Sequence, residues 1–189
     1  MTDGPELRRQ IFELRGQIIS EVSALDDWTS AVIAYYFELE ASEAFYGLVL
    51  LRLSFEAKIL ILRDLFKEMG VDKSFASFLK ELDDARLARN DQAHSTVGGG
   101  WHLGDEAQGW ESYYEWHSLQ QTKRGFTTEP IELTDLDAIL DAVHAVGTET
   151  ERVQVAFDAR RTGRLPLDDV KAYDVYVPGM KSEPFKFEP

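Results

Sequence analysis

The apolar positions of the first third of the chain recur every three or four residues: Leu7, Ile11, Leu14, Ile18, Val22 and Leu25. That spacing marks one face of a helix. The pattern continues through Trp28 to Phe37, with Asp26-Asp27 as a place for a kink and Glu38–Glu40 as an exposed end. Ser42 can cap a second helix. From Phe45 to Met69 apolar residues fall on nearly every side, which predicts a buried central helix ended by Gly70. A third helix is expected from Asp72 or Ser74 to His94, with Phe75, Phe78, Leu79, Leu82 and Ala85 as its buried stripe. Gly98-Gly99-Gly100 closes it.

Beyond the glycines the period changes. Trp101 to Trp110 reads as loop. Tyr113 to Leu119 and Phe126 to Leu133 read as two short strands around Lys123-Arg124-Gly125, a β-hairpin. Thr134 and Asp137 have the spacing of a capping box, and Leu136, Ile139, Leu140, Val143, Val146 and Val153 mark a fourth helix reaching Arg160. Pro166, Pro178, Pro184 and Pro189 then predict an extended tail. The expected architecture is mainly α: an up-and-down four-helix bundle with a β-hairpin insertion at about 111–133 between the third and fourth helices. One domain is expected over 1–163, and 164–189 is the tail.

Composition narrows the function classes. A hydrophobic fraction of 44% with 12% aromatics supports a packed core. There is no cysteine, which excludes disulfides, thiolate nucleophiles and cysteine metal sites. Neither a leader-like apolar segment at the N-terminus nor a run long enough to span a bilayer is found, so no membrane partner and a cytoplasmic location are expected. The formal net charge of −14 repels phosphate backbones at long range and disfavours a general nucleic-acid coat. A local basic site remains compatible with it.

Candidate chemistry concentrates in Arg86-Leu87-Ala88-Arg89-Asn90-Asp91-Gln92-Ala93-His94. On a helix, Arg89 continues the stripe of Phe75, Phe78 and Leu82, where a charge is costly unless it is paired or meets a polar cleft. Arg86, Asn90 and His94 follow one another at i, i+4 and form a polar ridge beside it. One helix end thus carries guanidinium, amide and imidazole groups. An imidazole ordinarily titrates near neutrality and suits general acid or base work. A guanidinium binds phosphate bidentately and stabilises developing negative charge. The bland alternative is a helix end whose cations meet the helix dipole, with Arg86 and Arg89 paired to Asp83, Asp84 or Asp91.

Arg89-Asn90, with four residues between Arg89 and His94 and a place late in a bundle helix, resembles the pattern of the HEPN family: an arginine, usually followed by a polar residue, then a histidine after four to six intervening residues. About residues 5–160 are compatible with that fold, and the hairpin and tail lie outside the family's common core. The resemblance implies a metal-independent endoribonuclease, working without cofactor as a homodimer that brings two motifs face to face across a two-fold axis. Arg89 and His94 would carry the reaction and Asn90 would assist. RNA would be the substrate, the role that of a toxin or defence effector, and an antitoxin or regulatory protein a further partner.

Around this centre, Arg86, His102, Lys123 and Arg124 are candidates for substrate binding. Arg52 and Glu56, one turn apart in the expected central helix, are candidates for supporting Arg89, or else a plain buried ion pair. Lys58 and Arg63 are expected to be exposed. No metal-ligand spacing is present, and His117 and His144 need no special role. Trp101, Trp110, Tyr113, Tyr114 and Trp116 suit base stacking or core cover. The alternative function class is a non-catalytic helical module that binds a protein partner or a nucleotide.

Overall fold

The computed structural model describes residues 4–37, 50–102, 113–122 and 125–162. The chain is mainly helical, with four α-helices and a small antiparallel sheet among these residues: α1 (Gly4–Tyr36), a 3-10 turn (Leu50–Arg52), α2 (Phe55–Met69), α3 (Ala76–His94), β1 (Thr96–His102), β2 (Tyr113–Thr122), β3 (Gly125–Pro130) and α4 (Leu133–Arg161). The expected tail and the hairpin tip at Lys123-Arg124 lie outside the described residues.

Two compact units are distinguished. One takes Met1–Val22 and Ala85–Val143, the other Ser23–Asp84 and His144–Pro189. The first holds the sheet, whose strands follow the order β1-β2-β3. β1 pairs with β2 from Thr96↔Leu119 to His102↔Tyr113, and β2 with β3 from His117↔Pro130 to Thr122↔Gly125. Its core gathers Ile11, Ile18, Trp116 and Leu136, flanked by Leu7, Leu14, Val97, Ile131 and Leu140. Trp116 therefore covers the core, with the Arg8 guanidinium 5.7 Å from its ring centroid.

The second unit is built on aromatic packing. Phe66 stacks on Phe75 with ring centroids 4.8 Å apart and meets Phe157 edge-on at 5.8 Å. Trp28 meets Phe78 edge-on at 6.0 Å. The third-helix stripe is buried as its spacing predicts, from Phe75 to Ala85. α2 ends on Gly70 in the left-handed region at φ +75°. Its N–H donates to the Lys67 carbonyl at 3.1 Å, and Val71 N–H donates to Phe66 O at 2.9 Å. These bonds satisfy carbonyls that the helix itself leaves open.

Several expectations are corrected. The central helix begins at Phe55, not Phe45, because Ser54 caps it: Ser54 Oγ accepts from Ala57 N–H at 3.2 Å. Arg52 consequently lies in the 3-10 turn, outside the helix that holds Glu56. Thr134 lies inside α4 and does not start it. The triple glycine belongs to a strand, so the hairpin is part of a three-stranded sheet.

Lys58, expected to be exposed, is only 2% exposed, and its Nζ donates to Asp26 Oδ1 at 2.5 Å. An ammonium so buried is tolerable only with a close anionic partner. Removing one partner of a fully buried pair costs about 3–5 kcal/mol. The Asp26 side chain retains 33% exposure, so solvent screening brings the expectation for Asp26→Asn down to about 2 kcal/mol. Lys58→Met should be close to neutral, and combining the two should recover most of the loss. Urea denaturation of the two single variants and the double variant measures this coupling. Losses that merely add to within about 0.5 kcal/mol would show that the pair does not hold the unit.

Candidate functional site

The site is built on the last two turns of α3. After Ala85 no residue of that helix is buried, so the helix leaves the core while the stripe's spacing continues. Arg89 occupies the next stripe position and is half-buried. Its Nη1 donates to Asn90 Oδ1 at 3.3 Å, and it enters no ion pair among the described residues. Asn90 is half-buried too. His94, the last helical residue, is exposed. It shares its face of the helix with Lys80, Asp84, Leu87 and Asp91, all exposed, and Leu87 leaves 47% of an apolar side chain open.

His94 lies five positions after Arg89, which on a regular helix turns their side chains about 140° apart. The fold therefore joins Arg89 to Asn90 and leaves His94 on a different face. Arg86 is half-buried one turn before. Among the described residues no three of His, Asp and Glu come together as a metal-binding group.

Other expected contributors are placed differently. His102 was a substrate-binding candidate on a segment read as loop after the glycines. The glycines are extended instead, so β1 carries His102 to its far end, about 20 Å along the strand from Thr96. Arg52 and Glu56 are both exposed. At those positions they form no buried ion pair. Lys123 and Arg124 lie outside the described residues.

The sequence reading passed over Arg15. It sits in α1 between Ile11 and Ile18 on the buried face and is only 7% exposed. Its Nη2 donates to Ser95 O at 2.8 Å, to Ser95 Oγ at 2.9 Å and to Gln92 O. Burial lowers its pKa from the ordinary arginine value. The visible signal was a cation spaced four and three residues from Ile11 and Ile18. Its acceptors were not visible, because they are 77 and 80 residues away in sequence.

The second unit contains a separate cavity of about 230 Å³ lined by Tyr36, Phe157, Arg160 and Arg161. Its two arginines stand in the last turn of α4, where cations are favoured by the helix dipole without any ligand. No helix of the described residues is long and apolar enough to cross a membrane. Comparison of the chain with protein-family models, with curated proteins and with solved structures returns no match.

The triple glycine adjoining the site is not demanded by backbone geometry at its first member. Gly70 is the positive-φ glycine among the described residues, and a Cβ placed on Gly98 would meet nothing within 4 Å. Gly98→Val should therefore raise stability by about 0.5–1 kcal/mol, through a less flexible unfolded chain and a better strand former. Thermal denaturation checks this. A loss of stability would mean that another surface closes over β1 at that point.

Proposed function

We propose that this chain is a metal-independent endoribonuclease of HEPN type, acting as a homodimer. Its helices would form the four-helix bundle of that family with the sheet inserted before the last helix. The observation that carries the reading is Arg89: a half-buried guanidinium held by an amide and by no carboxylate among the described residues. A structural arginine at that depth is ordinarily neutralised. One left without a counter-anion is suited to accept one from outside, and a phosphodiester fits a planar fork of donors.

The exposed His94 supplies the second requirement. In the proposed reaction the ribose 2′-oxygen attacks the adjacent phosphorus, and the bond to the 5′-oxygen breaks. One imidazole takes the 2′-hydroxyl proton, and a second donates a proton to the leaving 5′-oxygen. The products are a 2′,3′-cyclic phosphate and a 5′-hydroxyl. Arg89 stabilises the charge that builds on the phosphoryl oxygens, and Asn90 orients the guanidinium. Because Arg89 and His94 diverge on one helix, a two-fold pairing of α3 ends would supply both groups to one phosphate. The exposed Leu87 on the His94 face supports such a contact. A toxin or defence role in the cytoplasm, with an antitoxin or regulator, follows from the family resemblance alone.

The net charge of −14 favours the second reading, a non-catalytic helical module for a protein partner or nucleotide. Cleavage of labelled structured RNA in the presence of EDTA separates the two. Wild type should cut and leave cyclic phosphate ends. His94→Ala should lose about 10²–10⁴-fold in rate and Arg89→Ala about 10²–10³-fold, both while remaining folded. No cleavage by wild type across several RNAs would favour the binding module.

A further inference from the structure

We infer that Arg15 is a positioning residue for the Arg89–His94 site: its buried guanidinium clamps the end of α3 and thereby fixes where His94 leaves the helix. The functional half of this inference rests on the ribonuclease reading. The structural half stands without it.

Arg15 occupies a place that the pattern reserves for an apolar side chain. As far as Leu25 the buried positions of α1 run Ile11, Arg15, Ile18, Val22 and Leu25, at intervals of four, three, four and three. A leucine there would pack the stripe at no electrostatic cost. The guanidinium is instead desolvated, and what it receives in return is the end of α3. The last carbonyls of a helix have no partner within it, and that end carries partial negative charge. Gln92 O and Ser95 O are such acceptors, and Ser95 Oγ adds a third. The acceptors bracket His94 in sequence, two residues before it and one after.

The clamp therefore ties one short segment to two elements. It joins the last turn of α3 to α1, and it sets the first residue of β1, because Ser95 immediately precedes Thr96. Glycine and solvent are the ordinary ways to finish a helix. Neither would hold the last residue to a fixed direction, since His94 is exposed and has no core packing of its own to orient it. Proton transfer demands such direction, and a misplacement of about 1 Å can cost about 10²-fold in rate.

The test uses Arg15→Met, which keeps an unbranched apolar stem in the stripe and removes the donors. Arg15→Lys retains the charge and loses the planar fork. Amide hydrogen exchange should show at least tenfold lower protection at His94–Val97 in Arg15→Met, with Leu136–Val143 unchanged within twofold. On RNA, kcat should fall about 10–100-fold with KM within threefold, and Arg15→Lys should recover part of kcat. If Arg15→Met does not fold, Ser95→Ala removes one of the three acceptors and should move both readouts in the same direction by a few fold. Protection lost across the whole unit, or kcat within twofold of wild type, would overturn the inference. If wild type itself does not cut RNA, the ribonuclease reading fails separately. Exchange at His94–Val97 then decides the clamp, and unchanged protection there would refute it.

Discussion

The turn from helix to sheet at Ser95 rests on one guanidinium. Arg15 brings a positive charge inside a unit whose remaining core is Ile11, Ile18, Trp116 and Leu136, and it spends its hydrogen bonds on the open end of α3. Everything downstream inherits that anchor. β1 starts two residues after His94, β2 takes its register from β1, and β3 takes its own from β2. The Ile131 N–H, donating to Trp116 O at 2.8 Å, then ties the chain entering α4 back to the sheet. An arginine in α1 thus governs the exit of a helix some eighty residues later.

A second buried cation serves the other unit. Lys58 reaches Asp26 across 32 residues of sequence. The two cases differ in what answers the charge. Lys58 meets a full carboxylate, whereas Arg15 meets carbonyls and a hydroxyl. An ammonium is a compact, strongly hydrated point charge that needs a point anion. A guanidinium is more weakly hydrated and spreads its charge, so that one nitrogen, Nη2, can be answered by neutral oxygens. This difference explains why arginine, and not lysine, suits the helix end.

What was legible in the sequence follows from which forces are local. The buried stripe of α3 from Phe75 to Ala85 and the cap at Gly70 were readable, because helix periodicity and left-handed backbone are properties of short windows. The position of Arg89 on the continuing stripe was readable for the same reason. The start of α2 was misread, because an apolar run from Phe45 drew attention from Ser54, the residue whose hydroxyl caps the helix. β1 was missed because Gly98-Gly99-Gly100 has no side chains to alternate. A glycine stretch within a strand is specified by its neighbour, here β2, and not by its own pattern. Lys58 and Arg15 were out of reach in kind. Their environments depend on partners tens of residues away, and a cation in an apolar stripe announces only that a partner must exist. His102 follows from the β1 error, since a loop would return toward His94 where a strand departs from it.

The acidic charge and the proposed chemistry are compatible once distance is considered. At physiological ionic strength screening is effective beyond about 8 Å, so a net charge of −14 spread over the surface sets the approach of RNA more than its contact. Slow, weakly steered association follows, with little of the non-specific adhesion that a basic protein would have. Within the screening length the relevant charges are those of the α3 end. There Arg89 meets an amide among the described residues, Asp91 stands exposed on the face of His94, and the negative pole of the helix is answered by Arg15. A helix C-terminus would by itself repel a phosphate. Occupying its carbonyls with a buried guanidinium removes part of that repulsion at the place where a phosphodiester would have to sit. The residue that orients His94 thus also makes its surroundings less hostile to an anion, and one side chain meets two requirements that an acidic ribonuclease would have.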